Sequence, residues 1–97
     1  MRRPEQLVED ELIRAVREQG GMVEKIAPIR AGMPDRMVLL NGLIHLVELK
    51  APGGQLRQVQ KVFASRAAKR GVHVVVLTGV EQVREWVESV VEFGVEA

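Results

Sequence analysis

Apolar residues recur at helical spacing from Pro4 to Gln19 (Val8, Leu12, Ile13, Val16), and Gly20-Gly21 then ends the repeat, which predicts a first amphipathic helix. Met22 to Ile26 reads as a short strand, and Pro28 with Gly32-Met33-Pro34 predicts an irregular approach to Asp35. Two apolar runs follow, Arg36–Leu40 and Leu43–Lys50, separated by Asn41-Gly42. Asn-Gly between apolar runs is a strong hairpin signal, because a type I′ turn needs positive φ at both central residues. Ala51-Pro52-Gly53-Gly54 ends the second arm.

A second helix is predicted from Leu56 to Arg70, with Val59, Val62, Phe63 and Ala67 facing inward and Gly71 at its C-terminal cap. The β-branched run Val72–Leu77 reads as a buried strand. Val80, Val83, Val87, Val90 and Val91 outline a final amphipathic helix despite the poor helix propensity of valine. The predicted order is α-β-β-β-α-β-α: an α/β fold whose mixed sheet contains a central hairpin flanked by helices. At 97 residues and 46% hydrophobic, with no repeat, linker or low-complexity tract, the chain reads as one domain over 1–97.

Composition narrows the chemistry. With no cysteine there is no disulfide framework, thiolate metal site or cysteine nucleophile. The first residues lead into a charged helix, and no apolar run approaches the ~20 residues that span a membrane, so a soluble cytoplasmic protein is expected. Net charge is only +1, but its distribution is uneven. Arg57, Lys61, Arg66, Lys69 and Arg70 make one segment basic, and Glu81, Glu85, Glu88, Glu92 and Glu96 make the last one acidic. The basic residues, Arg57 and Lys61 foremost, either contact phosphates or form a solvated helix face.

The hairpin register supplies the sharpest expectation. A two-residue turn sets Leu40 opposite Leu43, and continuing the pairing sets Asp35 opposite Glu48, with Lys50 beside them on the Glu48 face. A register slip of one residue would put the two acids on opposite faces. Opposed residues have Cβ atoms about 4.5–5.5 Å apart. Two negative charges ~5 Å apart repel by roughly 3 kcal/mol at an effective dielectric of ~20. A cation reverses that sign, and an oxygen-only donor set with room for water and phosphate suits Mg²⁺ or Mn²⁺ better than Zn²⁺. Taken alone, a Glu-x-Lys strand is mostly a solvent-exposed ion pair worth about 0–1 kcal/mol, and it is Asp35 in register that favours the site.

Gly32-Met33-Pro34-Asp35, followed after the hairpin by Val47-Glu48-Leu49-Lys50, resembles the PD-(D/E)XK nuclease signature, with the spacing of the small VRR-NUC branch. The resemblance extends from about Glu5 to Leu77. It implies a restriction-endonuclease-like core and metal-dependent cleavage of DNA. It also implies an acid on the first helix, placed at Glu9 within Glu9-Asp10-Glu11-Leu12-Ile13-Arg14 with Glu11 as the alternative, and a glutamine on the second helix, at Gln60. The family's small hydroxyl residue is replaced here by Arg57, which leaves the helix cap open. On this reading Glu9, Asp35, Glu48 and the Leu49 carbonyl hold the metal. Lys50 positions the nucleophile, Gln60 holds Lys50 or a phosphate oxygen, and Arg30 and Arg36 neutralise neighbouring phosphates, with Lys25 a weaker candidate.

Stand-alone members of the group resemble dimeric Holliday-junction resolvases, which implies branched DNA as substrate and a homodimer built through the valine-rich last helix or the Met22–Ile26 edge. A flap, nick or duplex nuclease, or a catalytically silent DNA-binding subunit, are the alternatives. His45 alternates to the face opposite Glu48, His73 falls in the last predicted strand, and Trp86 lies on the valine stripe, so packing is the expectation for all three.

Overall fold

The computed structural model describes residues 1–93; Glu96 lies outside the described residues. The elements follow the predicted order: α1 (Pro4–Glu18), β1 (Met22–Lys25), β2 (Arg36–Leu40), β3 (Leu43–Lys50), α2 (Gln58–Ala68), β4 (Val75–Thr78) and α3 (Val80–Phe93). The sheet runs β1-β2-β3-β4, antiparallel across the first two pairs and parallel between β3 and β4, with α2 in the crossover.

The hairpin register is the expected one. Leu40 pairs with Leu43, Val38 with His45 and Arg36 with Val47, and Asn41 and Gly42 both adopt positive φ, 57° and 80°. The Asn41 side-chain amide donates to the Val90 carbonyl at 3.0 Å, tying the turn to α3.

Alternation divides the sheet into two unlike faces. On one, Val38, Val47, Leu49, Val75 and Leu77 pack with Val8, Leu12 and Val16 of α1 and Val83, Val87 and Val90 of α3 into the hydrophobic core. His45 joins this face, 7% exposed, its ring edge-on to Trp86 at 5.1 Å. On the other, Glu48 is buried near α2, whereas Met22 and Ile44 are 51% and 68% exposed.

Two predictions need correction. The expected inward residues Val59 and Val62 are 42% and 46% exposed, Phe63 and Ala67 are only half-buried, and Gln60 is the buried residue of α2. The helix is turned so that Gln60 points at the sheet, which leaves its apolar side over an open groove of about 840 Å³. The fourth strand starts at Val75, not Val72. Gly71 turns the chain at φ 82° and the Val72 N–H closes back on the Ala67 carbonyl at 3.0 Å, so Val72 belongs to the end of α2, and His73 is exposed in the connection rather than packed in a strand. None of the helices among the described residues is long and apolar enough to cross a membrane.

Candidate active site

The register carries Glu48 and Lys50 to the end of β3 beside Asp35, which immediately precedes β2. Buried Pro34 and the Gly32 turn fix the approach to Asp35. Gly32 has φ 89°, and a Cβ there would lie 2.1 Å from the Val59 carbonyl oxygen. Only glycine lets this loop press against the first turn of α2, and that contact sets where Gln60 sits.

Gln60 is bonded at both ends of its amide. Its Oε1 accepts the Arg57 backbone N–H at 2.8 Å, and its Nε2 donates to Glu48 Oε2 at 3.1 Å. Only half of a capping box forms: Gln60 folds back to accept the Arg57 N–H, while Arg57, with no side-chain acceptor, leaves the first N–H groups of α2 without a side-chain cap. The predicted bond from Gln60 to Lys50 is replaced by one to Glu48.

Glu48 is 8% exposed. Burial pushes its carboxyl above the usual range, and the Asp35 charge pushes the same way, while Lys50 and Arg57 oppose them; Glu5 adds a weaker upward push. Glu48 is thus a buried acid that, among the described residues, has no ion-pair partner of its own.

Two clefts of about 380 Å³ meet at this point. One is bordered by α1, the strand ends and α2, the other by the Pro28–Met33 loop and α2, and they share Asp35, Glu48, Arg57 and Gln60. Glu9, Leu49 and Lys50 line the first; Arg30 lines the second. Lys25 also borders the first cleft, whereas Lys61 lines neither.

The acids converge on one cleft without forming a preassembled cluster. Among the described residues no three Asp, Glu or His side chains form a group able to hold a metal ion. Arg36 lies between two of the acids: its Nε donates to Glu9 Oε2 at 2.7 Å and its Nη1 lies 2.8 Å from Asp35 Oδ1. Arg36 pairs with Val47 rather than Glu48 in the sheet, so its side chain reaches toward α1, where it binds carboxylates instead of facing outward to phosphates. Glu11 is no substitute for Glu9. It bridges Arg14 and Arg84 between α1 and α3, away from the cleft.

Glu5 and Arg3, which the sequence reading passed over, line the first cleft. Glu5 had a signal, since it stands one helical turn before Glu9 and so on the same side of α1. Arg3 had one too: Arg3 and Arg57 each precede a helix and are followed three residues later by glutamine.

A pair of opposed carboxylates at the end of a hairpin, with a lysine two residues beyond the second, sits on a fold consistent with a PD-(D/E)XK-like core. The chain belongs to the VRR-NUC domain family, a nuclease family, whose model matches residues 3–81. It is 45% identical over 67 residues to "Putative nuclease p44" of Acyrthosiphon pisum secondary endosymbiont phage 1, an overlap covering 62% of this chain and 72% of that protein. A solved structure described as "VRR_NUC domain" superposes with a TM-score of 0.77 at 28% identity, covering 95% of this chain and 98% of that one. A second, "VRR_NUC domain protein", shares the fold at TM-score 0.74 and 19% identity, covering 97% and 93%.

Proposed function

We propose that this nuclease domain is a Mg²⁺- or Mn²⁺-dependent DNA endonuclease that hydrolyses phosphodiester bonds, acting as a homodimer on four-way junctions. The observation that supports the reading best is Glu48 itself: a buried carboxylate facing Asp35 and Lys50, oriented by Gln60, at the meeting point of two open clefts.

The donor set fits a hard divalent cation. Asp35, Glu48 and the Leu49 carbonyl offer oxygen only, and a bound cation would offset both the burial of the Glu48 carboxylate and its repulsion by Asp35. Glu5 or Glu9 is the further oxygen from α1, and Glu9 is available only by releasing Arg36. Such an ion, when bound, supplies charge neutralisation at the phosphate and activation of water. The protein's own contributions are distinct. Gln60 donates to one oxygen of Glu48 and leaves the other open to the cleft. Lys50 and Arg57 favour the ionised form of Glu48, and the Lys50 ammonium offsets phosphate charge and orients the attacking water. Arg36 keeps Asp35 aimed at the cleft.

For the homodimer, Val83, Val87 and Val90 of α3 are buried in the chain's own core, leaving Val91 and Phe93 exposed on that helix. The β1 edge supports a contact better. It is an outer strand of the sheet, with Met22 exposed, and strand edges and exposed apolar patches are where symmetric contacts form. A two-fold interface presents two identical sites for paired incisions.

Cleavage of labelled four-way, flapped, nicked and linear DNA with Mg²⁺, Mn²⁺ or EDTA tests the reading. Paired incisions of the junction, dependent on metal, by a species that sediments as a dimer are expected. Faster cutting of flaps, nicks or duplex, or a monomer at working concentration, contradicts the junction proposal. Salt-sensitive binding without cleavage under either metal makes the domain a DNA-binding subunit.

A further inference from the structure

Arginine is a poor residue to begin a helix, because it has no acceptor for the free N–H groups and places a cation at the positive end of the helix dipole. This chain begins two helices that way. Before α1, the Arg3 N–H is accepted by Gln6 Oε1 at 2.8 Å, and before α2 the Arg57 N–H is accepted by Gln60 Oε1 at 2.8 Å. In both, glutamine satisfies the N–H of the capping arginine itself, and the guanidinium, which has no acceptor, takes no part in the cap. Both arginines border the Glu48 cleft. Local rules broken twice at the rim of one cleft mark those positions as functional.

Pairing sharpens the point. Five cationic side chains line that cleft (Arg3, Lys25, Arg36, Lys50 and Arg57), with Glu5, Glu9, Asp35 and Glu48 among them. Among the described residues only Arg36 of the five forms ion pairs. Elsewhere Arg2, Arg14 and Arg84 are paired with acids, while Arg17, Lys61, Arg66, Lys69 and Arg70 form no ion pairs among the described residues, so what distinguishes Arg3 and Arg57 is their place at the cleft. Arg30, in the second cleft, is also exposed and unpaired. Of the two clefts that meet at Glu48, Arg3 borders only the α1 one and Arg30 only the loop-side one, Arg30 also lining the groove beside α2, and Arg57 stands on their common wall with Glu48.

We propose that these arginines define the path of the substrate strand: Arg3 grips a backbone phosphate on one side of the scissile phosphate, Arg30 grips one on the other side, and Arg57 stands between them. Guanidinium forks suit phosphate oxygens, which they bind bidentately. The strand enters past the N-terminus of α1, crosses Glu48 and leaves along the Pro28–Met33 loop, or runs the reverse way. This rests on the nuclease reading and adds which residue holds which flank.

The test uses DNA substrates shortened on either the 5′ or the 3′ side of the mapped cut, with the wild-type protein, Arg3→Gln and Arg30→Gln. Wild-type KM rises when either flank is removed. Arg3→Gln raises KM about tenfold on the full substrate, with kcat nearly unchanged. It is then indifferent to loss of one flank and fully sensitive to loss of the other, and Arg30→Gln shows the opposite preference. Each glutamine variant lowers the slope of log K against log salt by about 0.9 on duplex; Arg3→Lys and Arg30→Lys restore most of it. Both side chains are exposed, so thermal unfolding stays at the wild-type temperature. Variants that respond to the same flank, keep the wild-type salt slope, or lose kcat instead of KM overturn the path. Failure of the wild-type protein to bind or cut any DNA overturns the nuclease reading instead.

Discussion

Glu11 and Glu48 expose nearly the same fraction of their surface, 9% and 8%, but the Glu48 carboxyl lies deeper among protein atoms, and the two are driven in opposite directions. Glu11 is held down to about 2, chiefly by the hydrogen bond from Arg14 with Arg84 assisting against the cost of burial. Glu48 is driven up by burial and by the Asp35 charge, with only partial relief from Lys50 and Arg57. The first sits where α1 meets α3, and every charge there has a partner. The second sits where α2 stands off the sheet, and among the described residues no cation around it pairs with Glu48, Arg36 being taken up by Glu9 and Asp35. Low exposure alone therefore does not fix the direction of a carboxyl's shift: Glu11 accepts hydrogen bonds from two arginines, whereas among the described residues Glu48 accepts one only from the Gln60 amide.

The largest effect is expected at Gly32, which fixes the geometry on the reactive side. Gly32→Ala forces an L-residue into φ 89° and drives its Cβ into the Val59 carbonyl. It should cost about 2–4 kcal/mol in urea unfolding and reduce cleavage by about 10²-fold as Gln60 shifts away from Glu48. Wild-type stability would show that the loop does not rest on α2 as described.

Glu11→Gln tests the structural side and should be smaller, about 1–2 kcal/mol at pH 7, discounted because both arginine partners are half-exposed. A carboxyl lowered in the folded state contributes stability above its unfolded pKa, and that contribution disappears as the pH falls from about 4.5 towards 2. The gap between wild type and variant in denaturant titrations should close over that window, with DNA cleavage at pH 7 unaffected. A gap that persists at low pH would remove the ion pairs as its cause.

Glu48→Gln should have the smallest effect on stability and the opposite sign. A carboxyl raised in the folded state weakens the fold once the pH exceeds its unfolded pKa, so the neutral amide should unfold at a higher temperature at pH 7 in EDTA, where ~1 kcal/mol corresponds to about 4–8 °C. The advantage should shrink as the buffer is acidified. A lower unfolding temperature at pH 7 would mean that the Glu48 charge is already compensated within the chain.

The hairpin half of the molecule was legible because its rules are local. Asn41-Gly42 dictates the turn, the turn dictates the register, and the register puts Asp35 and Glu48 together while turning His45 into the core. The α2 half was not. Its valines have the spacing of an inward face, but a buried side-chain amide bonded to a carboxylate twelve residues away sets the rotation of the helix, and periodicity carries no trace of such a bond. Arg36 was misjudged for a similar reason. Its proximity to Asp35 in sequence is visible, but its reach to Glu9 depends on how α1 lies across the sheet.

Glu48 is also where the central claim is most exposed. The decisive measurement is the rate of Mg²⁺-dependent cleavage by Glu48→Gln under conditions where fluorescence anisotropy shows the DNA fully bound. The predicted result is wild-type binding with cleavage lowered by at least about 10²–10³-fold. Cleavage near the wild-type rate by the bound, folded variant would contradict the account.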